Sequence, residues 1–385
     1  MEGVEISHCN AAIEAILTAC YAFWQSTVEE ALRPILKYGK NDTLGMDAMP
    51  EITIIEQLQR YDQHSIVITE ETGGREKFRF VHADDPRRFR TIFISDPTDR
   101  SAQIKKMLEN ENDRTKKVSE VITGATCREK WESDFSAPAE ITGGSSAITC
   151  IRRGIPIFSV IVNYVTRQLF VSCSAGNYVL GLPEKLTKID LNYVRAHGKK
   201  IYFRDINSHG AMRRFTTFMG KQGYKENFID SKLMDEAEMD QYLHYRLPGG
   251  PSRVLYLSTL QPENNQLGFI LANGEKIGEW IHWLPYVRFA RKENDQSEPA
   301  LRLFEIYQDR PWTKEGILMS TPPAYSIFKP ASDHDNRMTI NVGHFSAFSN
   351  PSQIRSTLVI APSDNQWATR IVNQYGYRPI EISSE

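Results

Sequence analysis

The stretch TIFISDPTDRSAQ, residues 91–103, runs from an apolar, β-branched segment into Asp96 and Asp99, with Arg100 and Ser101 directly after. TIFIS predicts a strand, so both carboxylates stand at its C-terminal end. A second junction of the same kind lies upstream. SIVITEET, residues 65–72, predicts a short strand over 65–69 that ends in Glu70 and Glu71.

A hard divalent cation such as Mg2+ takes oxygen ligands in a near-octahedral array, drawn from carboxylates, a carbonyl, waters and phosphate oxygens. Two strand ends carrying acids match that demand. In DPTD the proline stiffens the turn, so Asp96 and Asp99 converge on one side with the Thr98 carbonyl pointing the same way. Glu71, from the neighbouring strand end, completes a site for two or more metal ions. Successive N–H groups at a strand-to-helix turn form an anion pocket aligned with a helix dipole, and Ser101 adds a hydroxyl there. Each feature alone has a plainer reading. An Asp-Pro-x-Asp turn also serves to cap the next helix, and an acidic pair at a strand end is also an ordinary solvated surface.

Residues 10–38 predict one amphipathic helix, because Ile13, Ile16, Leu17, Cys20, Phe23 and Trp24 recur at spacings of three and four. A second helix is expected over 50–61, with Pro50 suited to its first turn. Beyond the aspartates, residues 102–134 are dense in charge and predict a solvated helical excursion. Residues 141–180 carry three strand signals separated by RRGIP and TRQ, an antiparallel meander. A composition change over 183–195 divides the chain into an N-terminal half, 1–182, and a C-terminal half, 183–385. In the latter, STLVIAPSDNQWATRIVNQYG predicts a strand over 357–361, then a helix capped by Ser363 or Asp364 and closed at Gly376.

The bulk composition narrows the function classes. Hydrophobic residues make up 41% of the 385, charged residues 24%, and the net charge is only -2, which excludes wholesale disorder and gives no polyanion-binding surface. GGREKFRF, DDPRRFR and AMRRFTTFMGKQGYK interleave basic and aromatic residues, yet the balanced charge makes them solvated loops, and no nucleic-acid partner is expected. No membrane partner is expected either, since no run of 18 or more apolar residues occurs. The acidic N-terminus lacks a secretory pattern, so a cytoplasmic location is expected. The five cysteines, Cys9, Cys20, Cys127, Cys150 and Cys173, are scattered and never spaced C-x-x-C, which predicts reduced, mostly buried thiols.

Taken together, Asp47, the pair Glu70-Glu71 and Asp96-Pro97-Thr98-Asp99-Arg100-Ser101 resemble the signature of the inositol monophosphatase and fructose-1,6-bisphosphatase superfamily of lithium-sensitive, Mg2+-dependent phosphatases. That signature is an aspartate, then E-E, then D-P-[IL]-D-G-[ST], and later W-D-x-A-A. The resemblance spans residues 10–180 firmly and the rest more loosely. It implies an α/β (α+β) fold of layered αβαβα type, and hydrolysis of a small phosphorylated polyol, sugar or related metabolite by metal-activated water. It also implies two or three Mg2+ ions, with Mn2+ as a substitute; a homodimer is left open. Carried over, Glu71, Asp96 and the Thr98 carbonyl hold a first metal, and Asp96 with Asp99 a second. Glu70 is a further ligand candidate. Asp47 and Ser101 orient and deprotonate the attacking water, and the amides of Arg100 and Ser101 bind phosphate.

Two positions depart from that pattern. Arg100 stands where the family has glycine, and its side chain either adds a bidentate phosphate contact or plugs the pocket. EKIGEWIHWLPYVRFA, residues 275–290, is the nearest match to W-D-x-A-A, but Ile281 and Leu284 follow its tryptophans. Glu279 or His282 could substitute for the missing aspartate, or the segment is a tryptophan-rich core helix. Asp333, His334 and Asp335 offer another carboxylate source. The alternative to an enzyme is a member that binds a phosphorylated ligand or a partner protein without turnover.

Overall fold

The computed structural model describes residues 3–36, 38, 43–63, 65–69, 91–135, 139, 143–152 and 155–201, and beyond them the backbone of short strands between 227 and 380. The first helix, α1 (Gly3–Gln25), buries Ile13, Ile16, Leu17, Cys20, Phe23 and Trp24, the residues whose spacing predicted it. It starts earlier and stops earlier than expected. Thr27 and Glu30 explain the stop. The Glu30 amide donates to Thr27 Oγ1 at 3.1 Å, and the Thr27 amide donates to the Glu30 carboxylate at 2.8 Å. This capping box starts a new helix, α2 (Val28–Leu32).

The third helix, α3 (Gly45–Tyr61), begins at Gly45 rather than at residue 50, so Pro50 lies inside it. Gly45 is required there, since a Cβ at this position would stand 2.1 Å from the Glu30 carbonyl oxygen. Helices α2 and α3 therefore approach backbone to backbone.

A seven-stranded sheet carries these helices. Its strands are β1 (Ile66–Thr69), β2 (Thr91–Asp99), β3 (Ser145–Arg152), β4 (Ile155–Asn163), β5 (Gln168–Cys173), β6 (Gly176–Gly181) and β7 (Lys199–Ile201), paired in chain order. Only β1 and β2 run parallel; every other neighbouring pair of this sheet is antiparallel. The expected meander has a fourth strand, β6, because the chain turns again at residues 174–175 and Gly176 takes a φ of +124°.

One face of the sheet is continuous apolar core. Phe93 pairs with Cys150, Cys150 with Phe158, and Phe158 with Cys173, while Ile148 pairs with Val160 and Val160 with Val171. All are buried, and α1 packs on β3 and β4 while α3 packs on β1 and β2. Four of the five cysteines are buried in this interior and all five are free thiols.

Between β2 and β3 the expected helical excursion includes, among the described residues, α4 (Ser101–Glu109), α5 (Val118–Ile122) and α6 (Ala125–Phe135). It is less solvated than its charge suggested. Ile104, Met107, Leu108, Val118, Ile122 and Trp131 are all buried. A narrow apolar stripe suffices to dock a charged helix.

A second, six-stranded sheet orders Arg378–Ile380, Leu301–Ile306, Arg355–Pro362, Phe269–Lys276, Arg253–Leu257 and Asn227–Ile229. The strand expected over 357–361 is one of its central members; the helix expected after it, with Ser363, Asp364 and Gly376, lies outside the described residues. Glu275 and Lys276 end a strand rather than open a helix. The described residues form a mixed α/β fold, the class that the resemblance implies. No helix among the described residues is long and apolar enough to cross a membrane.

Candidate metal and phosphate centre

Strand β2 does not stop at Ser95; it continues through Asp99. Its pairing with β3 slips on the way. Asp96 faces Ala147 and Asp99 faces Ser145, so two residues of β2, Pro97 and Thr98, are opposed by one of β3, Ser146. This is a β-bulge, and it decides where the carboxylates point. In a regular strand, residues three apart face opposite sides of a sheet. Ala147 and Ser145 are two apart and share a face, so their partners Asp96 and Asp99 share it too. The Ser145 hydroxyl lies 3.5 Å from Asp99 Oδ2, on that face. The register places Asp96 and Asp99 on one face of the sheet, and a bulge does so rather than proline stiffness alone.

Pro50 fastens this segment from the side. A helical carbonyl normally accepts from the amide four residues on, and Pro50 has no N–H to give Met46. Thr98 fills the gap, its hydroxyl donating to the Met46 carbonyl at 2.7 Å in a buried bond. From below, the fully buried Tyr164 donates its hydroxyl to the Pro97 carbonyl at 2.7 Å. Burial pushes the Tyr164 pKa well up, so the group stays a neutral donor. The neighbour of Met46 in α3 is Asp47, which is buried and accepts the Leu44 amide at 3.2 Å through Oδ2. The Thr98 tether thus brings the first turn of α3, with Asp47, against the end of β2.

One turn further along α3, Glu51 is fully buried and accepts the hydroxyl of Thr69, the last residue of β1. Sequence reasoning passed over Glu51, Tyr164 and Ser145. Only Glu51 left a signal: it follows Asp47 by four residues, on the same helical face.

After Asp99 the chain turns abruptly. Arg100 takes a left-handed conformation, φ 64° and ψ 35°, and α4 starts at Ser101. That backbone explains why glycine is the natural occupant, since an L-residue there costs about 1–2 kcal/mol. The first amides of α4 to find helical acceptors are those of Gln103 and Ile104, both donating to the Arg100 carbonyl. Arg100 makes no side-chain cap. The positive end of the α4 dipole therefore faces the acidic strand end. Close packing holds it there. A Cβ on Gly144 would lie 2.3 Å from Ile104 Cδ1 and 3.4 Å from the Asp99 carbonyl oxygen.

The Arg100 side chain is only 4% exposed, and its Nε lies 3.8 Å from Asp99 Oδ2. Nε, Nη1 and Nη2 are buried without a hydrogen-bond partner. Burial lowers its pKa while Asp99 opposes the shift, and a guanidinium stays charged throughout.

Asp96, Thr98, Asp99, Arg100 and Ser101 share one strand-to-helix junction, and Thr98 ties it to Met46, the neighbour of Asp47 in α3. Glu70 and Glu71 follow β1 directly but lie outside the described residues, as do Glu279, His282, Asp333, His334 and Asp335. Among the described residues, no group of three His, Cys, Asp or Glu is placed to hold a metal ion.

No protein-family model matches the chain, and no curated protein matches it. Among solved structures it is similar to the extragenic suppressor protein suhB from Bartonella henselae, at 16% identity and a TM-score of 0.27, over 45% of this chain and 50% of that one. It is also similar to CysQ from Bacteroides thetaiotaomicron, a bacterial member of the inositol monophosphatase family, at 17% identity and a TM-score of 0.30, over 52% of this chain and 58% of that one. A third is inositol monophosphatase from Anabaena (Nostoc), at 15% identity and a TM-score of 0.26, over 47% and 50% of the two chains. The chain spans about half the length of the structures it matches.

Proposed function

We propose that the chain is a divergent phosphomonoesterase of the inositol monophosphatase type, acting with Mg2+ on a small phosphorylated polyol, sugar or related metabolite in the cytoplasm. One observation carries the proposal. The β2 bulge turns Asp96 and Asp99 to one face, beside the N-terminus of α4, while Thr98 between them bonds to the Met46 carbonyl, one residue before Asp47.

The donors suit the metal, because carboxylate and carbonyl oxygens are the hard ligands that Mg2+ selects. Asp96 and the Thr98 carbonyl, with Glu71, would hold the cation, and Asp99 would extend the site. When bound, it supplies charge neutralisation for phosphate and a more acidic water. The remaining chemistry belongs to the chain. Asp47 accepts the proton of the attacking water, which the Ser101 hydroxyl orients. The amides of Arg100 and Ser101, at the positive end of α4, hold the phosphate oxygens. The water oxygen forms a bond to phosphorus as the ester P–O bond breaks, the departing alcohol oxygen takes a proton from solvent water, and no phosphoenzyme is needed. Residues 183–385 would supply the contacts that choose the substrate.

The test is phosphate release from a panel of phosphorylated metabolites with Mg2+ or Mn2+. Asp96→Asn and Asp99→Asn should each abolish release while leaving the circular dichroism spectrum unchanged. Wild-type protein that binds phosphate but releases none from any member would replace the enzyme with a non-catalytic phosphate binder.

A further inference from the structure

A buried cation beside a proposed cation site is a contradiction unless one replaces the other. The Arg100 guanidinium is permanently charged, 4% exposed, and reaches to 3.8 Å from Asp99 Oδ2. A divalent ion on that oxygen would sit about 2 Å from it, and hence no more than about 6 Å from Nε. Two like charges that close, away from water, repel strongly. At the same time Nε, Nη1 and Nη2 are buried with their hydrogen-bonding capacity unspent. A buried guanidinium is tolerated when its donors meet an anion, and its planar fork matches two oxygens of a phosphate.

We propose that Arg100 is a tethered substitute for the second cation of this centre: it neutralises Asp99 and offers its free donors to the phosphate group, leaving a single divalent ion on the Asp96 side. The inference deepens the phosphatase reading and rests on it. Its consequence is a change in stoichiometry and in binding order. Phosphate should bind this chain without any metal, because one of its two counter-charges is covalent. The strained backbone at φ 64° fits the same account, since the left-handed residue is what turns the side chain back toward the aspartates it follows.

The experiment counts ions rather than turnover. Bound Mn2+ is counted by electron paramagnetic resonance on the full chain, and inorganic phosphate binding is measured by calorimetry in EDTA. Wild type should bind one Mn2+ and should bind phosphate in EDTA. Arg100→Gly, whose backbone suits glycine, should bind one additional Mn2+ and lose about tenfold or more of its metal-free phosphate affinity. Arg100→Lys keeps the charge and should retain the wild-type ion count even where its phosphate binding weakens. Two ions in wild type, or an unchanged count in Arg100→Gly, overturns the substitution while leaving the phosphatase reading standing. Wild type that binds neither Mn2+ nor phosphate overturns both.

Discussion

Replacing Thr98 with valine tests whether the acidic strand end is held by a hydrogen bond that Pro50 makes necessary. In an uninterrupted helix the Met46 carbonyl would accept from residue 50, and Pro50 cannot donate. The Thr98 hydroxyl donates instead, at 2.7 Å, between a threonine 6% exposed and a methionine 1% exposed. Thr98→Val keeps the shape and strands the carbonyl, which costs about 1–3 kcal/mol, partly offset by the added methyl, for a net loss of about 1.5 kcal/mol. Pro50→Ala changes that outcome. The substitution brings back an amide within reach of Met46, so in this background Thr98→Val should cost under about 0.5 kcal/mol, a coupling of about 1 kcal/mol between residues in different elements. The assay is urea unfolding followed by tryptophan fluorescence. With a slope of about 3 kcal/mol per molar, the single Thr98→Val variant loses about 0.5 M in midpoint at unchanged slope. Equal losses in the two backgrounds would show that Met46 does not depend on Thr98, and the account of Pro50 would be wrong.

Two further outcomes follow from the same contacts. Tyr164→Phe keeps the packed ring and deletes the donor to the Pro97 carbonyl, so it should lower stability by about 1–2 kcal/mol and weaken Mn2+ binding by loosening the bulge, with the unfolding midpoint and ion titration as readouts. Glu30 is held below its ordinary value of 4.5 by the Thr27 amide, then by the Thr27 hydroxyl. Its folded pKa lies under the unfolded one, so the carboxylate's contribution is complete above about pH 4.5 and is lost as pH falls through the depressed value. Glu30→Gln should therefore lower the unfolding midpoint at pH 7 and narrow its gap to wild type in acid; a gap that is constant with pH would remove the capping box as its cause.

Much of the first half was legible because its signals were periodic. The α1 spacing named its buried residues, and the β-branched runs named β1 and β2. Boundaries failed where a local bond competes with periodicity. The Thr27–Glu30 box divides one predicted helix into two, although the apolar pattern runs through it. Pro50 misled in the opposite sense. Proline is common at a helix start, which placed it in the first turn, whereas a neighbouring hydroxyl makes it tolerable five residues in.

The site shows the same division between identity and geometry. The aspartates were recognisable as a motif, but their spacing alone argues against them: three residues apart in a strand means opposite faces. What reverses this is the single extra residue on β2, and the extra residue exists only relative to β3, whose partner residues lie far along the chain. Arg100 is the converse case. Its identity was plain, and both readings of it, contact or plug, treated the side chain as something added at the phosphate pocket. A left-handed backbone that turns the guanidinium to 3.8 Å from Asp99 makes it part of the charge balance itself. Under the proposed substitution the guanidinium supplies one of the two positive charges that a second divalent ion would bring, so the residue that departs most from the motif is the one expected to lower its metal requirement.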